Sequence, residues 1–197
     1  MTRLNVRKTY KLYINGEFPR TESGRYYEVR GKGGELLANA SRGSRKDLRN
    51  AVVAARKAQS GWAEKTAYNR GQILYRIAEV CEARAAELGD ELRRQGLSAE
   101  DARREIDAVI DRWVYYAGWS DKYIQMYGSV NPVAGPYYNF TVPEPTGVVA
   151  VVAPETPALL GLVSRIAPAI VGGNTVVAVT SESAPLAAIT MGEVFET

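Results

Sequence analysis

Residues 146–154, TGVVAVVAP, form an uninterrupted apolar run of strand length. Strands that lack polar alternation are typical of parallel sheets, in which both faces are covered. The segment ALLGLVSRIAPAIVGG (158–173) then has the length and apolar spacing of a helix and ends in a Gly pair. A second Val-rich strand, NTVVAVT (174–180), follows it. Strand, helix and strand at this spacing predict a right-handed βαβ unit with two parallel strands.

Small polar residues and carboxylates follow the carboxyl ends of both predicted strands, at residues 153–156 and 179–182. In open α/β sheets, ligands bind beyond these ends. Glu182 is placed to accept hydrogen bonds from ribose hydroxyls, and the N-termini of the two helices that begin here favour phosphate anions. No G-x-G-x-x-G follows the first strand. The local chemistry therefore leaves two interpretations open: a nucleotide site, or a Glu182 that only complements the dipole of the next helix.

Two further elements flank the βαβ unit. A helix is predicted within SESAPLAAITMGEVFE (181–196), with Pro185 in its first turn and Ser183 as a candidate N-cap. Before the unit, a connector rich in Pro and Gly carries one extended stretch at residues 137–142. Prolines at positions 143 and 145 restrict this stretch to an edge strand or β-arm.

Upstream of the connector, the sequence predicts a small β structure followed by helices. Asn15-Gly16 between two short β-prone runs predicts a hairpin, and GRYYEVR (24–30) and GELLANAS (34–41) predict two more strands. Residues 44–47 and 98–101 have the spacing of capping boxes and therefore predict helix starts. The second and third predicted helices span about residues 68–94 and 98–123.

The residue types present exclude several kinds of catalysis. The chain has no histidine, so it cannot form a Ser-His-Asp triad, a Cys-His pair or a His-ligated metal site by itself. Its single cysteine, Cys81, allows no internal disulfide. Because Cys81 falls on the apolar face of the second predicted helix, we interpret it as core filler and not as a nucleophile. We expect no metal site.

Charge gives little support to a nucleic-acid partner. The 25 basic and 22 acidic residues are interleaved and leave a net charge of +3. The densest basic segment, residues 42–49, is interrupted by Asp47 and is typical of a solvated helix face. A nucleic-acid surface on this segment is the competing hypothesis. The first ten residues lack an apolar signal core and no run reaches membrane-spanning length, which predicts a cytoplasmic protein without a membrane partner.

Several stretches of the chain resemble the aldehyde dehydrogenase superfamily. Around the predicted sheet these are EPTGVVAVVAP (144–154), RIAPAIVGGNTVV (165–177) and SESAPL (181–186). Upstream they are LYINGEF (12–18), ESGR (22–25), AVVAARKAQSGWAEKTAYNRGQIL (51–74) and EIDAVIDRWVYYAGWSDK (105–122). They follow the family's order and spacing over nearly the whole chain. Within the family, the chain looks most similar to a divergent, family-16-like branch.

The resemblance implies an α/β fold in which an N-terminal β-hairpin and helices precede an incomplete Rossmann-like parallel sheet. Residues 1–127 are then the hairpin and helical part of the cofactor domain, and residues 128–145 are the connector and edge β-arm. Residues 146–197 start a Rossmann-like βαβα cofactor-binding unit that is truncated. In the family, a catalytic Cys attacks an aldehyde, hydride passes to NAD(P), and a Glu activates the water that releases the carboxylic acid.

By the same resemblance, the catalytic Cys and the general-base Glu lie beyond Thr197, and Cys81 does not match the catalytic position. No catalytic residue is therefore assigned within the chain. Pro154, Ser181 and Glu182 match cofactor-binding positions of the family, and Glu182 matches the position that binds the ribose. The β-arm implies a homo-oligomer, or a hetero-oligomer with an aldehyde dehydrogenase homologue.

The chain also departs from the family pattern at this site. Thr156 stands where the family has the Asn that holds the substrate oxyanion, and removal of one such donor typically costs about 3 kcal/mol of transition-state stabilisation. Glu155 stands where the family has Trp. Val179 replaces the Lys that binds the adenosine ribose or its 2′-phosphate, so NAD is the expected cofactor and NADP use is weakened most. Residues 94–97, RQGL, replace a Glu-Thr-Gly-Lys turn with no function evident from the sequence.

Two functions follow from the resemblance. The first is the cofactor-domain portion of an NAD(P)-dependent aldehyde dehydrogenase-like oxidoreductase. The alternative is a catalytically inactive subunit, or pseudoenzyme, that keeps the fold in order to assemble with an active homologue. The replacements at Thr156 and Val179 favour the second function, whereas the surviving Glu182 favours the first.

Overall fold

The computed structural model describes residues 8–196 of the chain. Its strands are β1 (Thr9–Tyr10), β2 (Tyr26–Arg30), β3 (Leu36–Ser41), β4 (Ser129–Asn131), β5 (Asn139–Thr141), β6 (Val148–Val152) and β7 (Thr175–Val179). Its helices are α1 (Arg45–Ala63), α2 (Ala67–Ala83), α3 (Ala85–Arg94), α4 (Ala99–Trp119), α5 (Tyr123–Tyr127), α6 (Ala158–Val171) and α7 (Leu186–Glu196). Within these residues, no helix combines the length and apolarity needed to cross a membrane.

The predicted βαβ unit is present. β6 and β7 are parallel neighbours, with Val148 opposite Thr175 and Val152 opposite Val179, and α6 connects them. The Thr175 hydroxyl donates to the carbonyl of Ala55 over 2.9 Å, which ties β7 to α1. The α/β fold class expected from the sequence is confirmed, because the two apolar runs pair side by side in the same direction.

The main core lies where α2, α4, α6 and α7 pack against one another. Trp113, Leu74 and Leu159 are fully buried there. Cys81 is also fully buried, and its Sγ lies 3.9 Å from Sδ of Met191. Burial raises the pKa of the Cys81 thiol to about 12, so the thiol stays protonated and unreactive at neutral pH. The interpretation of Cys81 as core filler is confirmed.

The N-terminal strands form a separate small sheet in the order β1–β3–β2, with β1 parallel and β2 antiparallel to β3. The hairpin predicted at Asn15-Gly16 is a tight turn closed by a single bridge between Ile14 and Glu17. Asn15 and Gly16 have φ angles of 56° and 75°, the left-handed pair that a type I′ turn requires. The turn was therefore predicted correctly. The Leu12 N–H also donates to the Pro19 carbonyl at 3.2 Å, but residues 11–13 and 18–20 form no strands.

The continuous helix predicted over residues 68–94 is wrong, because the chain breaks at Arg84 between α2 and α3. The break allows α3 to bury Leu88 and Leu92, where α3 packs against α4 and α7. The Arg84 guanidinium also pairs with Glu193 of α7 over 2.5 Å. No Gly or Pro stands at this position, so nothing in the local sequence indicates the break.

Two other helix boundaries differ from the prediction. α4 ends at Trp119, where Ser120 Oγ donates to a carbonyl of the last turn over 2.9 Å, and the separate helix α5 follows. α7 begins at Leu186, so Ser183 lies before the helix and is not adjacent to its first residue. The Ser183 hydroxyl instead donates to Glu155, in the turn that follows β6.

The connector carries a short antiparallel hairpin of β4 and β5, with Ser129 opposite Thr141. Its aromatic side chains are open to solvent: Tyr137 is 77% and Tyr138 is 74% exposed. The predicted extended stretch at residues 137–142 corresponds to β5, which is paired along one edge only. The division of the chain at residues 127 and 145 remains a prediction.

Candidate functional site

The carboxyl ends of β6 and β7 lie side by side. Val152 is the register partner of Val179, and the Ala153 N–H donates to the Val179 carbonyl over 2.9 Å. The turn after β6, residues 154–157, and the turn after β7, residues 180–184, therefore meet at one edge of the sheet. This edge, the strand mouth, is the place at which open α/β sheets bind ligands.

Glu155 connects the two turns of the strand mouth. Its Oε2 accepts hydrogen bonds from Ser181 Oγ at 2.8 Å, from the Ser183 N–H at 3.2 Å and from Ser183 Oγ. The Ser183 hydroxyl, the Ser181 hydroxyl and the Ser183 N–H together lower the pKa of the Glu155 carboxyl below its usual value. The side chain therefore remains ionised at neutral pH while it bridges the mouth.

Two of the predicted cofactor residues have internal roles in the described structure. Ser181 is buried, and its Oγ both donates to Glu155 and accepts from the Ala184 N–H at 3.0 Å. Pro154 is half-buried against α6. A Cβ on Gly161 would lie only 2.2 Å from Pro154 Cγ, so the close approach of this turn to α6 requires glycine at position 161. A direct contact of Pro154 or Ser181 with a cofactor remains a prediction.

Glu182 is exposed at the rim of the strand mouth, between the two serines that hold Glu155. Tyr27 of β2 faces the same place. Burial raises the pKa of the Tyr27 hydroxyl, and the negative charges of Glu182 and Glu155 raise it further. The N-terminal sheet thus supplies a neutral hydroxyl near both carboxylates, a contribution that no local motif of the sequence indicated.

The strand mouth carries negative charge that no ion pair among the described residues neutralises. Within residues 8–196, neither Glu155 nor Glu182 forms an ion pair with a lysine or arginine. Val179, at the position where the resemblance predicts Lys, is 55% exposed and offers only methyl groups. Thr156 is exposed as well. The part of the chain that the structure describes contains no group of three or more acidic, His or Cys side chains that could hold a metal ion.

The N-termini of α6 and α7, which were expected to favour phosphate, are capped from within the chain. Glu105, a buried residue of α4, accepts the N–H groups of Leu159 and Leu160 at 3.0 Å each. Gln95 Oε1 accepts the N–H of Leu186 at 2.9 Å. These three N–H groups are therefore satisfied within the chain and are not available to a ligand.

The same contacts explain two residues that the sequence left unread. Gln95 belongs to the RQGL segment, and its role is to cap α7. Glu105 lies on the apolar side of α4, between buried Ala102 and Ile106. A carboxylate in an apolar stripe is a signal of a buried acceptor, but the sequence alone does not show which N–H groups it serves.

Buried polar groups also hold the C-terminal end of α6. Arg70 is buried, and it donates to the carbonyls of Val171 at 3.0 Å and Ala63 at 3.2 Å. Trp62 Nε1 donates to the Ile170 carbonyl at 2.8 Å. A cation at this end and a carboxylate at the other complement the helix dipole, so α6 is fixed in place behind the mouth.

These features define an α/β protein whose candidate site lies beyond two adjacent parallel strands. Residues 20–197 match the family model described as "Aldehyde dehydrogenase family". The chain belongs to the aldehyde dehydrogenase family, which confirms the resemblance found in the sequence. Its similarity to a family-16-like branch remains a prediction.

Curated relatives and solved structures agree with this assignment. Benzaldehyde dehydrogenase, mitochondrial, of Antirrhinum majus is 34% identical over 190 residues, which cover 94% of this chain and 35% of the relative. Retinal dehydrogenase 2 of Homo sapiens is 36% identical over 191 residues, which cover 94% of this chain and 36% of that protein. An NAD+ complex structure of aldehyde dehydrogenase from Bacillus cereus superposes with a TM-score of 0.91 at 30% identity, covering 96% of this chain and 39% of that one. The chain spans about a third of the length of the curated relatives.

Proposed function

We propose that the chain is the N-terminal cofactor-domain portion of an NAD-dependent aldehyde dehydrogenase-like oxidoreductase that converts an aldehyde to a carboxylic acid. The observation that carries the proposal is the strand mouth, where β6 and β7 end side by side and leave Glu182 exposed at the rim. The NAD+ complex of the related Bacillus cereus enzyme supports the choice of cofactor.

The side chains of the strand mouth suit the uncharged ribose of a dinucleotide. A carboxylate such as Glu182 is an acceptor, and a ribose with free 2′ and 3′ hydroxyls supplies two donors. Hydrogen bonds of this kind are charge-assisted and therefore stronger than those between neutral groups. NAD, when bound, supplies the acceptor for hydride, whereas the residues described here bind and orient. Thr156 would offer a hydroxyl where the family has an amide donor.

Calorimetric titration of the chain with NAD+ tests the proposal. We expect binding, and we expect Glu182→Gln to weaken it about tenfold, because one or more charge-assisted hydrogen bonds lose their charge. Glu144→Gln is a matched control, since Glu144 is exposed and precedes β6 at the other end of the strand. Absence of binding by the unaltered chain at millimolar NAD+ would contradict the proposal.

The alternative function is a catalytically inactive subunit that assembles with an active homologue. It is favoured by the exposed aromatic side chains of the β4–β5 hairpin, because apolar groups on a short edge are typical of interfaces. We propose a homo-oligomer or a hetero-oligomer with a homologue as the partner. Size-exclusion chromatography with light scattering, on the chain alone and mixed with a full-length homologue, distinguishes these states. A chain that remains monomeric both alone and in the presence of the homologue would contradict the alternative function.

A cytoplasmic location and the absence of a nucleic-acid partner also belong to the proposal. The lone cysteine is buried and unpaired, as is common in reducing compartments. In the basic segment, Lys46 is paired with Glu22 at 3.0 Å, and Asp47 is held by Thr21 at 2.7 Å. The segment is therefore partly neutralised. Retention on a DNA column that falls steeply with salt would contradict this part of the proposal.

A further inference from the structure

Glu155 is a carboxylate at the strand mouth that the proposed ribose contact does not use. Its carboxylate bonds to Ser181 Oγ at 2.8 Å and to the Ser183 N–H at 3.2 Å, the residues on either side of Glu182. Together with the bond from Ser183 Oγ, these hydrogen bonds hold the Glu155 carboxylate in one position relative to the Glu182 backbone. A second carboxylate next to the first changes which ligand the rim can accept.

We infer that Glu155 is a specificity-determining residue of the proposed nucleotide site, which makes the rim accept a ribose with free hydroxyls and reject a 2′-phosphate. The inference rests on the proposed function, because it concerns the same site. It adds a second determinant of the choice between NAD and NADP, one that works by repulsion and not by the loss of the Lys at position 179.

Hydrogen bonds from Ser181 and Ser183 end on Oε2 of Glu155, and the Glu182 backbone N–H also interacts with this carboxylate. The two oxygens of a carboxylate offer about four lone-pair sites, so the exposed Glu155 side chain can accept a further donor. A ribose hydroxyl that bonds to Glu182 is thus offered a second acceptor on the neighbouring turn.

The charge of the rim opposes an additional phosphate. Glu155 and Glu182 are both exposed, and neither forms an ion pair within the described residues. Tyr27, another polar group at this place, is neutral at neutral pH, and burial and these carboxylates raise its hydroxyl pKa further above its usual value. Recognition of phosphate usually employs Arg or Lys. Two carboxylates that form no ion pair in the described part of the chain are the opposite arrangement, and binding sites often gain specificity by repelling the wrong ligand.

The test compares ligands that differ only at the 2′ position. The chain is titrated with 5′-AMP and adenosine 2′,5′-bisphosphate, and then with NAD+ and NADP+. We expect the unaltered chain to prefer the ligand without the 2′-phosphate in both pairs. Glu155→Gln keeps the shape and part of the hydrogen bonding but removes the charge, so the preference should fall about fivefold, as expected for one charge near a surface site. The preference of the unaltered chain should also decrease in high salt.

Controls separate this inference from the proposed function. Glu144→Gln removes the same charge at the amino end of β6 and should leave the preference unchanged. If the unaltered chain prefers NAD+ and Glu155→Gln keeps that preference in full, the inference is overturned while the proposed function stands. If none of the four nucleotides binds, the proposed function fails and the inference fails with it. Circular dichroism establishes that each variant is folded.

Amide hydrogen exchange supplies a readout that needs no ligand. Glu155→Ala removes the acceptor of the Ser183 N–H, so exchange at Ser183 should become faster, whereas Glu144→Gln should not change it. Unchanged exchange at Ser183 in Glu155→Ala would show that Glu155 does not fix the turn, and the inference would lose its geometric basis.

Discussion

Glu105 and Glu155 are two carboxylates that accept backbone N–H groups from another part of the chain, one inside the protein and one at its surface. Glu105 is buried and holds the first turn of α6 with two bonds of 3.0 Å. Glu155 is exposed and holds the turn after β7 across the strand mouth. A carboxylate–N–H hydrogen bond therefore stabilises the fold where water is excluded. Where water can replace it, we infer that the same bond positions a carboxylate for ligand choice.

Removal of the buried carboxylate should have the largest effect. Glu105→Ala leaves the N–H groups of Leu159 and Leu160 without an acceptor, and we expect a loss of about 3 kcal/mol in the free energy of unfolding. Urea unfolding followed by circular dichroism measures it. Glu105→Gln, which retains an oxygen acceptor, should lose less.

The matched control for this variant is Asp107→Ala, on the exposed face of the same helix, where only a weak pair with Arg103 at 3.8 Å is lost. We expect its effect to stay within about 0.5 kcal/mol. Equal losses of unfolding free energy for Glu105→Ala and Asp107→Ala would show that the cap of α6 contributes nothing specific to stability. The contrast between Glu105 and Glu155 would then be wrong.

Substitution of Asp47 should have an intermediate effect on stability, since Asp47 is a buried carboxylate in the first turn of α1. Burial tends to raise the pKa of the Asp47 carboxyl. Hydrogen bonds from Thr21, Ser44 and Glu22 outweigh burial and lower this pKa from 3.8 to about 2. A folded-state pKa below the unfolded value means that the stabilisation is present above pH 3.8 and is lost as the pH falls towards 2. Asp47→Ala should cost about 1–2 kcal/mol at neutral pH through loss of the N-cap box of α1.

Unfolding free energies measured from neutral pH down to pH 2 check this titration. The difference between the unaltered chain and Asp47→Asn should shrink as the pH falls through this range, because both then carry a neutral side chain at position 47. A difference that is constant with pH would show that the hydrogen-bonded carboxylate is not the group that titrates.

Substitution of the exposed carboxylate should have the smallest effect on stability. Because water can replace the lost interactions, Glu155→Gln should leave the midpoint of urea unfolding unchanged within error. Urea unfolding followed by circular dichroism, as for the Glu105 variants, measures this midpoint. A shift as large as that of Glu105→Ala would mean that Glu155 is a structural side chain, and the division between an interior and a surface carboxylate would be wrong.

The parts of the fold that local sequence specifies were predicted correctly. The apolar runs of β6 and β7 and the helix between them follow from hydrophobic pattern, and the start of α1 follows from the box of Ser44 and Asp47. Hydrophobic period and capping involve residues within about one helical turn, so the sequence displays them directly. The family motifs add a prediction about the site, because they assign Glu182, just beyond the second strand, to the ribose-binding position.

The break at Arg84 and the caps of α6 and α7 were not predictable in this way. Arg84 has an ordinary helical neighbourhood in the sequence, and its break is set by packing of α3 against α4 and α7. Glu105 reaches Leu159 across 54 positions, and Gln95 reaches Leu186 across 91. Pairings at such separations depend on how the helices pack.

The sequence by itself determined that two apolar strands run parallel and that a carboxylate follows the second of them, since these properties reside in short contiguous segments. The burial of both strand faces that the apolar runs predicted is not observed, because β7 has no buried residue and Val152 of β6 is exposed. Only the tertiary structure decided what surrounds that carboxylate: Glu155 bound to Ser181 and Ser183, and Tyr27 from another sheet. The physical reason is that hydrogen bonds and charge interactions act over a few ångströms in space, whatever the distance along the chain.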